Sequence, residues 1–340
     1  MTRASVAVPV LAIVALAIAA CNDGQSRSLA SQSSTPTAPG QPSSAHQTHR
    51  SASANPHNPP TVAADVTRWK LPEPVAREVV DTMGASAIVA GGLVAGDQST
   101  SRSYRLNPQE GRVTPLPDLP VAVHDAAGVS LHGSALVVGG GNATEQATVQ
   151  ALGSQGWREV GRLPTPRADL VAVGLRRTAI VLGGYDGVQS LAAILSSPQG
   201  REFHSIGRLP VPVRYPAAVA SHGVVWLLGG ERHGQMIDAI QRIDSHTGRA
   251  RVVGHLPRPL GHAAVVALGG SMLLAGGRTG PNAVTAAMWW FDSATLTFRR
   301  AGRLPYPLAD AGVFRTGRTA YLIGGETPHL SDGVIRITAH

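Results

Sequence analysis

Cysteine occurs once in 340 residues, at Cys21, so no disulfide can form within the chain. Aromatic residues make up only 4% and charged residues 15%. No long window repeats apolar residues every three to four positions, which argues against a helical bundle. H-E-x-x-H, paired C-x-x-C, G-x-S-x-G and a phosphate-cradling glycine loop after a strand are all missing, which removes the usual sequence cues for zinc, acyl-transfer and nucleotide chemistry. What the chain has in quantity is glycine (39), proline (25) and short apolar runs, with 43% hydrophobic residues. That balance suits a large all-β domain of many short strands joined by turns.

The first 62 residues stand apart. Arg3 precedes an apolar run from Ala4 to Ala20 that ends Ile18-Ala19-Ala20-Cys21. A basic start, an apolar stretch and small residues before a cleavage point form a secretory signal. The last four residues resemble the bacterial lipobox, which implies a signal peptide over 1–21 and acylation of Cys21. An uncleaved anchor is the alternative for a run of this length; either leaves the protein membrane-bound and extracytoplasmic. Residues 22–62 are rich in Ser, Thr, Pro, Ala, Gln and Asn. Such a segment buries too little apolar surface to offset its ordering entropy and is expected to be a disordered tether.

Internal repetition dominates the remainder, 63–340. Gly-Gly closes an apolar run at Gly91, Gly139, Gly183, Gly229, Gly276 and Gly324, with successive spacings of 48, 44, 46, 47 and 48. Leu-Pro recurs at Leu71, Leu119, Leu163, Leu209, Leu256 and Leu304, each leucine 20 positions before its first glycine. Each unit reads as four strands: a small-residue strand, a tight turn such as His222-Gly223, a continuously apolar strand ending at Gly-Gly, and two more after a variable loop. An apolar or aromatic residue (Val113, Trp157, Phe203, Ala250, Phe298) precedes the next leucine by six positions. Over residues 65–340 these features resemble the Kelch repeat, and six copies imply a six-bladed β-propeller. The sixth copy ends after its third strand, so Val66 to Lys70 are expected to supply the fourth and latch the ring, removing exposed edges.

In Kelch-like domains two loop sets share one face at the mouth of the central channel. Six positions beyond each repeat leucine stand Arg77, Asp125, Asp169, Tyr215, His262 and Asp310, with Arg167 and Arg214 close by. Directly after the double glycines, Tyr185, Glu231, Arg278 and Glu326 carry functional side chains. These twelve form the candidate ligand site. Arginines grip carboxylates or phosphates bidentately, and Tyr185 and Tyr215 offer stacking faces. The same aspartates and arginines are also the types that cap turns and pair with one another.

No catalytic residue, cofactor or metal site is expected. Copper radical oxidases on Kelch-like propellers need a cysteine joined to a tyrosine, and the one cysteine here, Cys21, is the expected lipid anchor. The bacterial sialic acid mutarotases resemble this chain as exported six-bladed propellers, which makes a carbohydrate-active enzyme the alternative to a non-catalytic binding module for a protein, peptide or glycan. The net charge of +8 is spread over single arginines such as Arg162, Arg208 and Arg303, so nucleic acid is not an expected partner. The propeller is expected to be monomeric.

Overall fold

The structure, a computed structural model, describes residues 59–175 and 177–340. The proposed signal peptide, Cys21, all but the end of the proposed tether, and Arg176 lie outside the described residues. No helix occurs among the described residues.

Six four-stranded antiparallel sheets repeat around an axis. Blade 1 runs from the axis outward as Val79–Met83, Ser86–Ala90, Ser103–Asn107 and Arg112–Leu116. Blades 2, 3, 4 and 5 repeat that order from Ala127–Leu131, Val171–Leu175, Ala217–Ser221 and Ala264–Leu268. Blade 6 has Gly312–Thr316, Thr319–Ile323 and Val334–Ala339, and its outermost strand is Val62–Val66 from the start of the domain. The innermost strands neighbour one another in turn, and Gly312–Thr316 returns to Val79–Met83.

The latch therefore exists, but four residues earlier than the sequence suggested. Val62 pairs with Ala339 and Val66 with Ile335. Of the expected segment only Val66 is in the strand, and Thr67 to Lys70 lead away from it: Trp69 packs near Tyr321, with ring centroids 6.5 Å apart, in the apolar cluster between blades 6 and 1. The order begins earlier still, because the Pro60 carbonyl accepts a hydrogen bond from Trp290 Nε1 at 3.0 Å.

The core lies between blades rather than within one. Each second strand is buried along its last four residues, because both of its faces meet a neighbouring blade. Six apolar clusters result, one per interface; that between blades 1 and 2 joins Val79, Ile88 and Ala90 to Val137, Leu152 and Trp157. No blade buries its apolar face alone, so stability is shared through the closed ring.

The double glycines tie blades together. Gly230 N donates to Leu260 O at 2.8 Å, in the loop that enters blade 5, and the other five second glycines make the equivalent bond. Both residues of the pair have positive φ, 59° and 111°, and a Cβ on Gly229 would sit 2.0 Å from Leu260 O. Only glycine fits there.

Candidate functional site

The two predicted loop sets meet at one face. In every blade the residue before the ring position bridges the residue after the double glycine, as in Ala168–Tyr185, Arg214–Glu231 and Ala309–Glu326. The ring residues themselves, Arg77, Asp125, Asp169, Tyr215, His262 and Asp310, form a closed circuit of backbone hydrogen bonds. Each N–H donates to the carbonyl of its counterpart in the preceding blade, at 2.9–3.1 Å, and Arg77 N closes the circle onto Asp310 O.

All six lie at φ between 51° and 58°, the left-handed region. Glycine is the undemanding residue there, and a side chain costs about 1 kcal/mol or more. None of the six is glycine. Their side chains make one network across the channel mouth. Arg77 donates through Nε to Glu326 Oε1 at 2.9 Å and through Nη1 to Asp125 Oδ2 at 3.3 Å. Tyr215, three blades away, reaches across: its hydroxyl donates to Asp125 Oδ2 at 3.1 Å and accepts from Arg77 Nη1 at 3.4 Å. Its ring stacks on His262 with centroids 3.9 Å apart.

His262 in turn bridges two carboxylates, Asp310 Oδ1 at 2.6 Å through Nδ1 and Glu231 Oε2 at 3.5 Å through Nε2. Arg214 holds Glu231 Oε1 through Nε at 2.9 Å and also through Nη2, and meets Asp169 Oδ2 at 3.4 Å. Arg278 contacts Asp310 Oδ2 at 3.3 Å and also binds Glu326. The mouth is thus filled and salt-bridged. Below it, a cavity of about 470 Å³ follows the inner strands, lined near the ring by Glu78, Ala126, Leu170, Pro216, Ala263 and Ala311.

Burial and pairing pull these groups in opposite directions. Burial opposes the charge on His262, but Asp310 and Glu231 outweigh it and raise the imidazole to about 9. Hydrogen bonds from His262 and Arg214 hold Glu231 down to about 2. Asp310 is lowered although burial pushes it up, because His262, Arg77 and Arg278 surround it. Asp125 and Asp169 go the other way: burial, and in Asp169 its neighbour Asp125, raise them to about 6 and about 7 despite the arginines.

Ten of the twelve predicted residues belong to this network; two do not. Arg167 is turned inward and 2% exposed, donating to Thr165 O and Gly183 O, with burial lowering it to about 10. It props the blade 3 bend and offers no grip to a ligand. Tyr185 stands at the rim, its hydroxyl donating to Gly187 O at 2.9 Å and the Arg214 guanidinium 4.9 Å from its ring centroid. Tyr215 has one face against His262, with the guanidiniums of Arg77 and Arg214 at 5.8 and 5.4 Å from its ring, so it is not the free stacking surface expected.

Glu78 was not foreseen. Its Oε1 accepts from Gly312 N at 3.2 Å, its Oε2 has no protein partner, and burial raises it to about 8. Asp81, in the strand that begins directly after Glu78, accepts from Ser130 Oγ at 2.5 Å and is raised to about 6, chiefly by burial. The only cue was acidic residues at and just before an inner strand. Among the described residues no group of three or more His, Cys, Asp or Glu is arranged to hold a metal ion.

No family model matches the chain, and no curated protein matches it. Among solved structures, one titled "Structure of YjhT" is similar with a TM-score of 0.68 at 16% identity, covering 79% of this chain and 94% of that one. At that identity the likeness is one of fold. The chain folds as an all-β, six-bladed propeller whose channel is capped at one end by a ring of interlocked charged residues.

Proposed function

We propose that this protein is a non-catalytic recognition propeller, carried on the outer side of the cytoplasmic membrane by an acylated Cys21 and the 22–62 tether, and binding a peptide, protein or glycan at the channel mouth. The observation that carries this reading is the ring of six left-handed positions without a glycine. The chain bears backbone strain six times to keep Arg, Asp, Asp, Tyr, His and Asp at one place. The network fixes the guanidiniums of Arg77, Arg214 and Arg278, and Tyr185, held by its own loop, stands beside Arg214 at the rim, so a ligand meets a preorganised surface. Cations and anions roughly balance there, which favours selection by hydrogen bonds and stacking, as in a glycan or peptide, over selection by net charge.

Full-length protein screened on glycan and peptide arrays, then titrated with the best hit, tests the reading. Tyr185→Ala is expected to weaken binding at least tenfold with little change in melting temperature, and Arg278→Gln to weaken it as far while lowering the melting temperature, because Asp310 and Glu326 each lose a partner. Unchanged binding in both variants would move the site elsewhere.

One observation favours a second reading, an acid–base enzyme acting on a sugar. The carboxyls of Asp125 and Asp169, raised by burial to about 6 and about 7, titrate where general acid–base groups act. His262 and Glu231, at about 9 and about 2, are displaced from that range. Saturable acceleration of anomer exchange in sialic or uronic acids, with a pH transition near 6–7 lost in Asp169→Asn, would establish the enzyme over the binding module.

A further inference from the structure

A second surface lies at the opposite end of the blades, where the innermost hairpins turn. Between blades 2 and 3 a cleft of about 330 Å³ is backed by half-buried Val160 and by the edges of Leu131, Leu136 and Ala151, which are otherwise buried in the core between the two blades. Leu136, Ala151 and Arg158 are direct cross-strand partners, so they share one face of blade 2. The facing wall is the blade 3 loop carrying Gln199 and Arg201.

That loop is pinned in place. Pro198 O lies 2.8 Å from His132 Nε2, Arg201 N donates to Ser197 Oγ at 3.1 Å, and Arg201 O accepts from Arg162 N at 3.2 Å. Gly200 presses so closely on blade 2 that a Cβ there would meet Leu136 Cδ1 at 2.5 Å. The cleft is preformed.

Its charge is one-sided. Arg158 and Arg201 both line it, both are exposed, and neither guanidinium has a partner among the described residues. No carboxylate lines the cleft. Glu159 lies next to Arg158 in the strand and is paired with Arg162 at 3.0 Å, and Glu202, next to Arg201, is not among the lining residues. The clefts in the equivalent place elsewhere differ. That between blades 1 and 2 has a single arginine, Arg105, with Nη2 3.5 Å from Met83 Sδ. That between blades 3 and 4 sets Asp244 beside Arg242.

We infer that the cleft between blades 2 and 3 binds an amphipathic anion: a phosphate, sulfate or carboxylate held between Arg158 and Arg201, carried on a small apolar body that packs on Val160 and on the edges of the buried side chains behind it. A guanidinium pair matches an oxyanion by bidentate hydrogen bonds, and the apolar backing adds affinity in proportion to the area it removes from water. The site is independent of the channel mouth and stands or falls separately from the function proposed for it.

Calorimetric titration of the full-length protein with hexyl phosphate, inorganic phosphate and hexyltrimethylammonium tests this. Saturable binding of hexyl phosphate is expected, at least tenfold tighter than inorganic phosphate, with no binding of the cation. Arg158→Gln with Arg201→Gln should abolish it, whereas the double Lys variant should keep part of it. Both arginines are exposed, so the fold is expected to persist, checked by an unchanged melting temperature. Absence of hexyl phosphate binding, equal binding by the double Gln variant, or equal binding of the ammonium amphiphile would each overturn the assignment.

Discussion

The channel mouth and the cleft between blades 2 and 3 are both rich in arginine, and they treat it in opposite ways. At the mouth, Arg77, Arg214 and Arg278 each contact two acidic side chains, and the aspartates they hold are nearly buried. In the cleft, Arg158 and Arg201 face solvent with no acid opposite. Charges withdrawn from water must be compensated by the protein, so the mouth is built as a closed network and its energy goes into shape. Charges left in water need no internal partner, and the cleft keeps its donors for something else. The same residue type therefore reports structure in one place and an open valence in the other.

The comparison breaks most completely if the ring opens. Removing residues 59–66 deletes the strand Val62–Val66 and leaves Val334–Ala339 as an exposed edge. Loss of cooperative unfolding, or a melting temperature lower by more than about 10 °C, is expected by calorimetry, since a few kcal/mol shifts a domain this large by several degrees to over ten. Both sites should fail together. An unchanged transition would show that the mouth holds its shape without closure.

A smaller effect follows from protons. Glu78, Asp169, Asp125 and Asp81 keep protons in the folded state at about 8, 7, 6 and 6, where the unfolded chain has released them. Unfolding then releases protons, and stability falls as pH rises from about 4 to about 8, by roughly 1.4 kcal/mol per unit for each fully shifted group. His262, raised to about 9, acts in the same direction: its contribution is whole below 6.5 and disappears as pH rises through about 9. Glu231 and Asp310 oppose only in acid, where their stabilisation is lost as pH falls through their lowered values. Denaturant titrations from pH 5 to 8.5 should show this slope, and Glu78→Gln should flatten it by raising stability at pH 8.5. A slope unchanged in that variant would contradict the burial assigned to Glu78.

Much of the frame was legible because propeller topology is periodic. A position six residues beyond each Leu-Pro leucine maps to the same place in every blade, and those six residues do form the ring. Closure was legible too, but its register was misread: Trp69 looked like a strand residue, whereas it packs against the cluster between blades 6 and 1. Pairings were not legible, since they depend on which way a long side chain turns. Arg77 reaches Glu326 in blade 6, and Arg167 folds back onto carbonyls of its own loops. The cleft was invisible because it exists only where the Pro198–Arg201 loop crosses onto blade 2.

The smallest expected effect concerns backbone strain. His222, at φ 50° in an exposed hairpin, has one local side-chain contact, Nδ1 to Ser221 Oγ at 2.7 Å, and His222→Gly should raise stability by up to about 1 kcal/mol. Tyr215→Gly, at φ 51°, should instead destabilise, because the lost bridge to Asp125 and Arg77 outweighs the relief. Equal signs at the two positions would mean that the ring side chains are not what the strain maintains.

The most direct test of the contrast between mouth and cleft is a pair of urea denaturations at pH 7, of Asp310→Ala and of Arg158→Ala. Removing Asp310 leaves His262 and Arg278 short of a buried partner and is expected to cost about 3–5 kcal/mol. Removing Arg158 should change stability by less than about 0.5 kcal/mol. Similar losses in the two variants would contradict the account, because the charges of the mouth and those of the cleft would then be serving the same end.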